Sequence, residues 1–185
     1  MNLTRHCVLC ENQITSLSIG STCKLTNKAP DFYKKCVSLN LGDKFTNEIH
    51  KSNLELHLIL KKKNTSYLKV LIIAIIGIFF IVGNGFLTDG FRPLRYYSVY
   101  RTSVIGVGVL VLINANFSLQ NFLNELKSAK SKKRRIDEVL DTYGIRYKSI
   151  YNYKDEIHGN KEIEIIIEYK NWKKKRTTST FVINS

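Results

Sequence analysis

The sequence lacks a convincing nucleophile elbow, a phosphate-cradling glycine loop, and a pair of carboxylates close to a histidine. These absences count against catalysis, and no enzyme activity is expected. Cysteine is absent beyond Cys36, so any thiol site belongs to the N-terminal segment. Acidic residues are scarce, 15 against 29 Lys and Arg, which leaves a formal net charge of +14 and a pI near 9.7. Such an excess suits either nucleic acid or an anionic membrane surface. No apolar run follows Met1-Asn2-Leu3-Thr4-Arg5, so no cleavable signal peptide is expected, and the first hydrophobic helix is expected to act as its own signal.

Charge is missing from two further stretches. Between Val70 and Thr88 lie 19 uncharged residues, with the core Val70-Leu71-Ile72-Ile73-Ala74-Ile75-Ile76. With Leu68 and a snorkelling Lys69, this reaches the ~20 residues that a 30 Å hydrocarbon core requires. Eleven Val, Leu, Ile or Phe side chains between Val70 and Val82 contribute about −5 kcal/mol towards insertion. A second uncharged stretch runs from Thr102 to Asn124, most apolar at Val104 to Ile113 and diluted by Asn114 and Asn116. A buried β-strand is the competing reading of that run. Lys61, Lys62, Lys63 and Lys69 precede the first span, and Lys127, Lys130, Lys132, Lys133, Arg134 and Arg135 follow the second. The loop between has only three Arg, so the positive-inside rule places both termini in the cytosol. Tyr96, Tyr97 and Tyr100 sit where an interfacial aromatic belt is expected, and Arg92-Pro93 marks a turn.

The cysteines fall as Cys7-x2-Cys10, then Cys23, then Cys36. Four thiolates suit tetrahedral zinc, and they would fill its coordination shell, leaving no open position for a substrate water. The twelve residues between Cys23 and Cys36 depart from the usual second Cys-x2-Cys, so the expectation is a ribbon-like, structural site. Gly20 and Thr26-Asn27-Lys28 offer turns between ligands, and His6 is a substitute ligand. Two disulfides or free thiols are the alternatives; a cytosolic location disfavours the former. A module this small depends on its metal for stability.

Gly42-Asp43 starts a helix with Phe45, Ile49, Ser52, Leu56 and Ile59 on one face. Leu119, Phe122, Leu126, Ala129, Lys133, Ile136, Leu140 and Tyr143 form a heptad seam broken only at Lys133. Both helices are expected to extend past the bilayer as an antiparallel pair or a multi-chain bundle, with a solvated amphipathic helix on the membrane surface as the alternative. Tyr143-Gly144 caps the helix, and strand patterning follows. Lys154 against Glu162, Lys148 against Glu168, Ile150 against Ile166 and Tyr153 against Ile163 define an antiparallel hairpin, closed by a Gly159-Asn160 turn. A third strand, Arg176 to Asn184, is expected to set Ile183 beside Ile163 and Phe181 beside Ile165. The apolar face of such a sheet needs a cover: the preceding helix, the cysteine module or another subunit.

The fold class expected is a membrane α-helical hairpin with a zinc ribbon-like module and a three-stranded β-meander. Its parts are a zinc module over 1–42, an amphipathic helix over 43–67, spans over 68–88 and 102–124 around an external loop 89–101, a helix extension over 125–144, and the meander over 145–185. Gly77, Gly83, Gly85, Gly106 and Gly108 are candidates for close helix contact. Asn84, Asn114 and Asn116 are polar at or near membrane depth, as interhelical bonds or pore lining. Tyr147, Tyr151, Tyr153 and Trp172 form a candidate ligand or partner face. Trp172 among Lys170, Lys173, Lys174, Lys175 and Arg176 is a possible grip on phosphate and base, against a solvated or lipid-touching turn.

In span count, size and the small β unit, the chain resembles small two-span membrane effectors of bacterial antiviral defence systems. The leading reading is a non-enzymatic oligomer of a prokaryotic inner membrane; the resemblance implies that a cytosolic sensor, here the tyrosine-bearing β unit, controls membrane disruption, with Asn114 and Asn116 as candidate pore-lining residues. The other readings are a membrane-tethered adaptor that binds a protein partner, and a membrane-associated nucleic acid or nucleotide binder.

Overall fold

Helix α1 (Thr4–Val8) and the hairpin β1 (Gln13–Ser16) and β2 (Gly20–Cys23) precede the first long helix, α2 (Asp43–Val82). A short α3 (Asn84–Thr88) follows, then α4 (Tyr97–Thr142), β3 (Arg146–Asp155), β4 (Lys161–Lys170) and β5 (Arg176–Ile183). This computed structural model describes residues 3–16, 20–89, 96–155 and 161–183; the Arg92-Pro93 and Gly159-Asn160 turns lie outside the described residues. Two long apolar helices and a C-terminal three-stranded antiparallel sheet are thus present, as the periodicity predicts. α4 starts at Tyr97, inside the stretch expected to be loop.

The chain divides into two units, Met1–His57 with Ala129–Ser185, and Leu58–Ser128. In the first, the sheet order is β3-β4-β5. The β3–β4 register is the expected one, with Lys154 opposite Glu162, Lys148 opposite Glu168 and Ile150 opposite Ile166. β5 departs from expectation by two residues: Phe181, not Ile183, lies opposite Ile163, and Ser179 lies opposite Ile165. A shift of two keeps every side chain on its predicted face, so apolar patterning cannot separate the registers. Charge does. The observed register sets Arg176 opposite Glu168, whereas the other would face Arg176 with Lys170, a like-charge pair that destabilises a sheet.

Ile163, Ile165, Ile167 and Tyr169 of β4 are buried, and so are Phe45 and Ile49 of α2 and Leu140 of α4. The cover over the apolar face includes α2 as well as the preceding helix: the Phe45 ring lies 5.9 Å from Tyr169, and His50 bonds Thr177 at 3.0 Å. Each buried aliphatic or aromatic side chain contributes roughly 1.5–3 kcal/mol. α4 ends as predicted. Gly144 takes φ +72, Ile145 N–H donates to Leu140 O at 3.0 Å and Gly144 N–H to Asp141 O at 3.1 Å, the hydrogen-bond pair of a Schellman cap.

In the second unit α2 and α4 run antiparallel: Tyr67 meets Phe122 with ring centroids 5.6 Å apart, and Gly77 meets Gly108. Of the most apolar 18-residue stretch of each helix, only 6% is buried in α2 and 11% in α4. A core helix of a soluble protein would be mostly buried; here Leu71, Ile75, Phe79, Leu110, Ile113 and Phe117 are exposed. Between α2 and α3, a Cβ at Gly83 would lie 2.6 Å from Phe79 O, so only glycine fits the break.

Candidate functional site

Local turns bring the four cysteines to one place. Cys7 lies near the end of α1 and Cys10 follows one turn later, its N–H donating to Cys7 O at 2.9 Å. Cys23 closes β2, and the next turn is tied by Asn27 N–H to Cys23 O at 2.8 Å. The segment after Cys36 returns to the first pair: Glu11 N–H donates to Asn40 O at 2.9 Å, and Asn40 N–H donates to Cys10 Sγ at 3.4 Å. All four cysteines, with His6, line a cavity of about 400 Å³. All four are free thiols. Burial pushes the Cys7 thiol up, and the neighbouring Cys10, Cys36 and Cys23 push it further. Among the described residues, no three His, Cys, Asp or Glu side chains stand in metal-ligating geometry.

Tyr143 anchors this site to α4. Its hydroxyl accepts Cys36 N–H at 2.8 Å and lies 3.1 Å from His6 Nδ1, and burial raises its pKa. His6 is fully buried with its pKa lowered by burial, so its Nδ1 is engaged by a phenol. Arg5 pairs with Glu138 at 2.9 Å nearby. The sequence marked Tyr143 as a seam residue and as the end of its helix, and nothing in its spacing pointed to the cysteines.

The tyrosine face is turned towards the helices. Tyr147 OH donates to Asp137 Oδ1 at 2.5 Å and also bonds Lys133, whose amine lies 4.7 Å from the ring centroid. Lys133 therefore breaks the heptad because it meets a phenol and a carboxylate. Burial, then the bond to Asp137, raises the Tyr147 pKa strongly. Tyr151 OH donates to Asn53 O at 3.3 Å, and its ring stacks on His57 at 3.9 Å. Tyr153, half-exposed, bonds His57. Asn53, which sequence reasoning passed over, is a hub: it is buried, its Nδ2 donates to Ile49 O at 2.8 Å, and its Oδ1 accepts from Ser149 at 3.1 Å. Trp172, partly exposed, has its ring against Phe45 at 5.1 Å and Tyr169 at 4.6 Å and lines one cavity with Tyr147.

The asparagines divide. Asn84 is buried, while Asn114 and Asn116 are exposed on α4. Of the five candidate glycines, Gly77 and Gly108 make the helix contact; Gly85 and Gly106 have open space around them. No known protein family, curated protein or solved structure matches the chain.

Proposed function

We propose that the chain is an oligomeric two-pass protein of a prokaryotic inner membrane, with both termini cytosolic, in which cytosolic modules govern a membrane effector or pore. The observation that carries this reading is the exposure of apolar side chains along two long antiparallel helices. In water that surface would aggregate; among lipid tails it is matched. The N- and C-terminal segments belong to one compact unit, joined by Arg5–Glu138 and by the Tyr143 bond to Cys36. A chain so tied needs an even number of crossings, which supports two. The basic flanks support the cytosolic side. Asn114 and Asn116 lie exposed at the end of the most apolar part of α4, Val104 to Ile113. Facing hydrocarbon they are costly, and facing a second copy or a water-filled pore they are satisfied.

The cysteine cavity supports a structural zinc held by Cys7, Cys10, Cys23 and Cys36, for the donor set is all thiol and the Asn40 amide already faces Cys10 sulfur. Its role in this reading is to fix the N-terminal module against α4.

Two measurements test the proposal. Ultracentrifugation of expressing cells' lysate without detergent should bring the chain down with membranes, and a chain left in the supernatant as a compact monomer overturns it. Membrane-potential dye on expressing cells should report depolarisation; an intact potential leaves a membrane-tethered adaptor as the reading.

A further inference from the structure

The sheet has a basic end. A cavity of about 740 Å³ there is lined by Arg146, Lys148, Lys170, Lys175 and Arg176, with Glu168 as the one carboxylate among the described residues. None of the five cations makes an ion pair with a described residue. Their placement is set by register: Arg146 lies directly opposite Lys170, and Arg176 and Lys148 flank Glu168 on the two neighbouring strands. The β4–β5 turn, with Asn171 at φ +64 and Tyr169 N–H donating to Lys175 O at 2.8 Å, brings Lys175 back beside them. At the other end of the hairpin Lys154 meets Glu162, so the Arg146–Lys170 pairing is a local exception. Like charges directly across a sheet are destabilising, and an anionic ligand lying over them removes that cost.

Trp172 lines the same cavity. Edge contacts with Phe45, at 85° between the rings, and Tyr169, at 66°, hold the indole in place. Cations beside an aromatic ring are the recognition set for an unpaired base on a phosphate backbone. A bilayer surface would be met better by a tryptophan free to enter the interface than by one seated against two rings.

We propose that this end of the sheet binds single-stranded nucleic acid, the cations taking its phosphates and Trp172 stacking on a base. The site lies wholly within one unit, so the proposal does not depend on the membrane reading: a chain recovered from the supernatant would enter the same assay.

Trp172 is the only tryptophan, so its fluorescence reports this site alone. The full chain, in a zwitterionic detergent, is titrated with a ten-nucleotide oligothymidylate at several salt concentrations. Saturable quenching is expected, with affinity falling as salt rises by about 0.7 log units per log unit of salt for each phosphate engaged. The Arg146→Gln/Lys170→Gln variant should flatten that slope by roughly 1.4 and weaken binding, whereas Lys62→Gln/Lys63→Gln should change neither. Trp172→Ala, followed with a labelled oligonucleotide, should weaken binding about five-fold or more. Absent quenching, or a slope unmoved by the double variant, overturns the proposal. So does a tryptophan response to anionic vesicles that the oligonucleotide does not produce.

Discussion

Gly77 and Gly108 approach each other backbone to backbone: a Cβ added to Gly108 would lie 2.9 Å from Gly77 O, and one added to Gly77 would lie 3.1 Å from Gly108 O. Ile81 Cγ1 and Phe80 Cβ crowd the Gly108 position as well, at 2.7 and 3.1 Å. Such small-residue contacts let helices pack in a setting where apolar surface alone gives no driving force. Gly108→Ala should therefore lower stability by about 1–3 kcal/mol, seen as a lower thermal midpoint in detergent. Gly106→Ala, two residues away with open space around it, should leave the midpoint unchanged.

The cysteine cavity predicts one zinc per chain, measured by elemental analysis of protein purified without added metal. Cys23→Ser should reduce metal content and lower the thermal midpoint, and a chelator should do the same to the parent chain. Two disulfides would leave the metal content near zero and the thiols unreactive.

His50 predicts an acid weakness. It is fully buried, bonded through Nε2 to Thr177 at 3.0 Å, and burial pulls its pKa from 6.5 down to about 4. The folded state holds the imidazole neutral while the unfolded chain takes up a proton below 6.5. Stability from this group is complete above pH 6.5 and is lost as pH falls towards 4, at up to roughly 1.4 kcal/mol per unit. His50→Gln should flatten the dependence of unfolding free energy on pH by one proton over that window.

Lys133 predicts a substitution that sequence patterning would get wrong. Lys133→Leu completes the heptad seam, yet it removes the cation 3.3 Å from Asp137, leaving that carboxylate with the Tyr147 hydroxyl but without the lysine's charge. The expected result is a loss of about 1–3 kcal/mol, measured by chemical unfolding. Tyr147→Phe should cost less, since Lys133 and Asp137 keep each other.

Much of the fold was legible because independent signals agreed. The β3–β4 register satisfied opposite charges and apolar partners together, as in Lys154 with Glu162 and Tyr153 with Ile163. At β5 the apolar pattern admitted two registers two residues apart, and the sequence reading chose the one that set Lys170 against Arg176. Five glycines looked equivalent in a string, but only Gly77 and Gly108 share the contact, because which residues face each other depends on how two helices cross.

What the sequence by itself determined are the properties carried by neighbours along the chain. These are the two uncharged stretches within the long helices, the strand alternation, the Tyr143-Gly144 cap, and the crowding of cysteine before residue 37. Each depends on a period or a local backbone preference within a few residues. Only the tertiary structure decided that Tyr143 holds Cys36 across 107 residues, that Lys133 answers Tyr147 and Asp137, and that five cations gather beside Trp172. Contacts between distant segments are chosen by shape, burial and hydrogen-bond satisfaction in the folded chain, and no linear pattern encodes which partner each group will find.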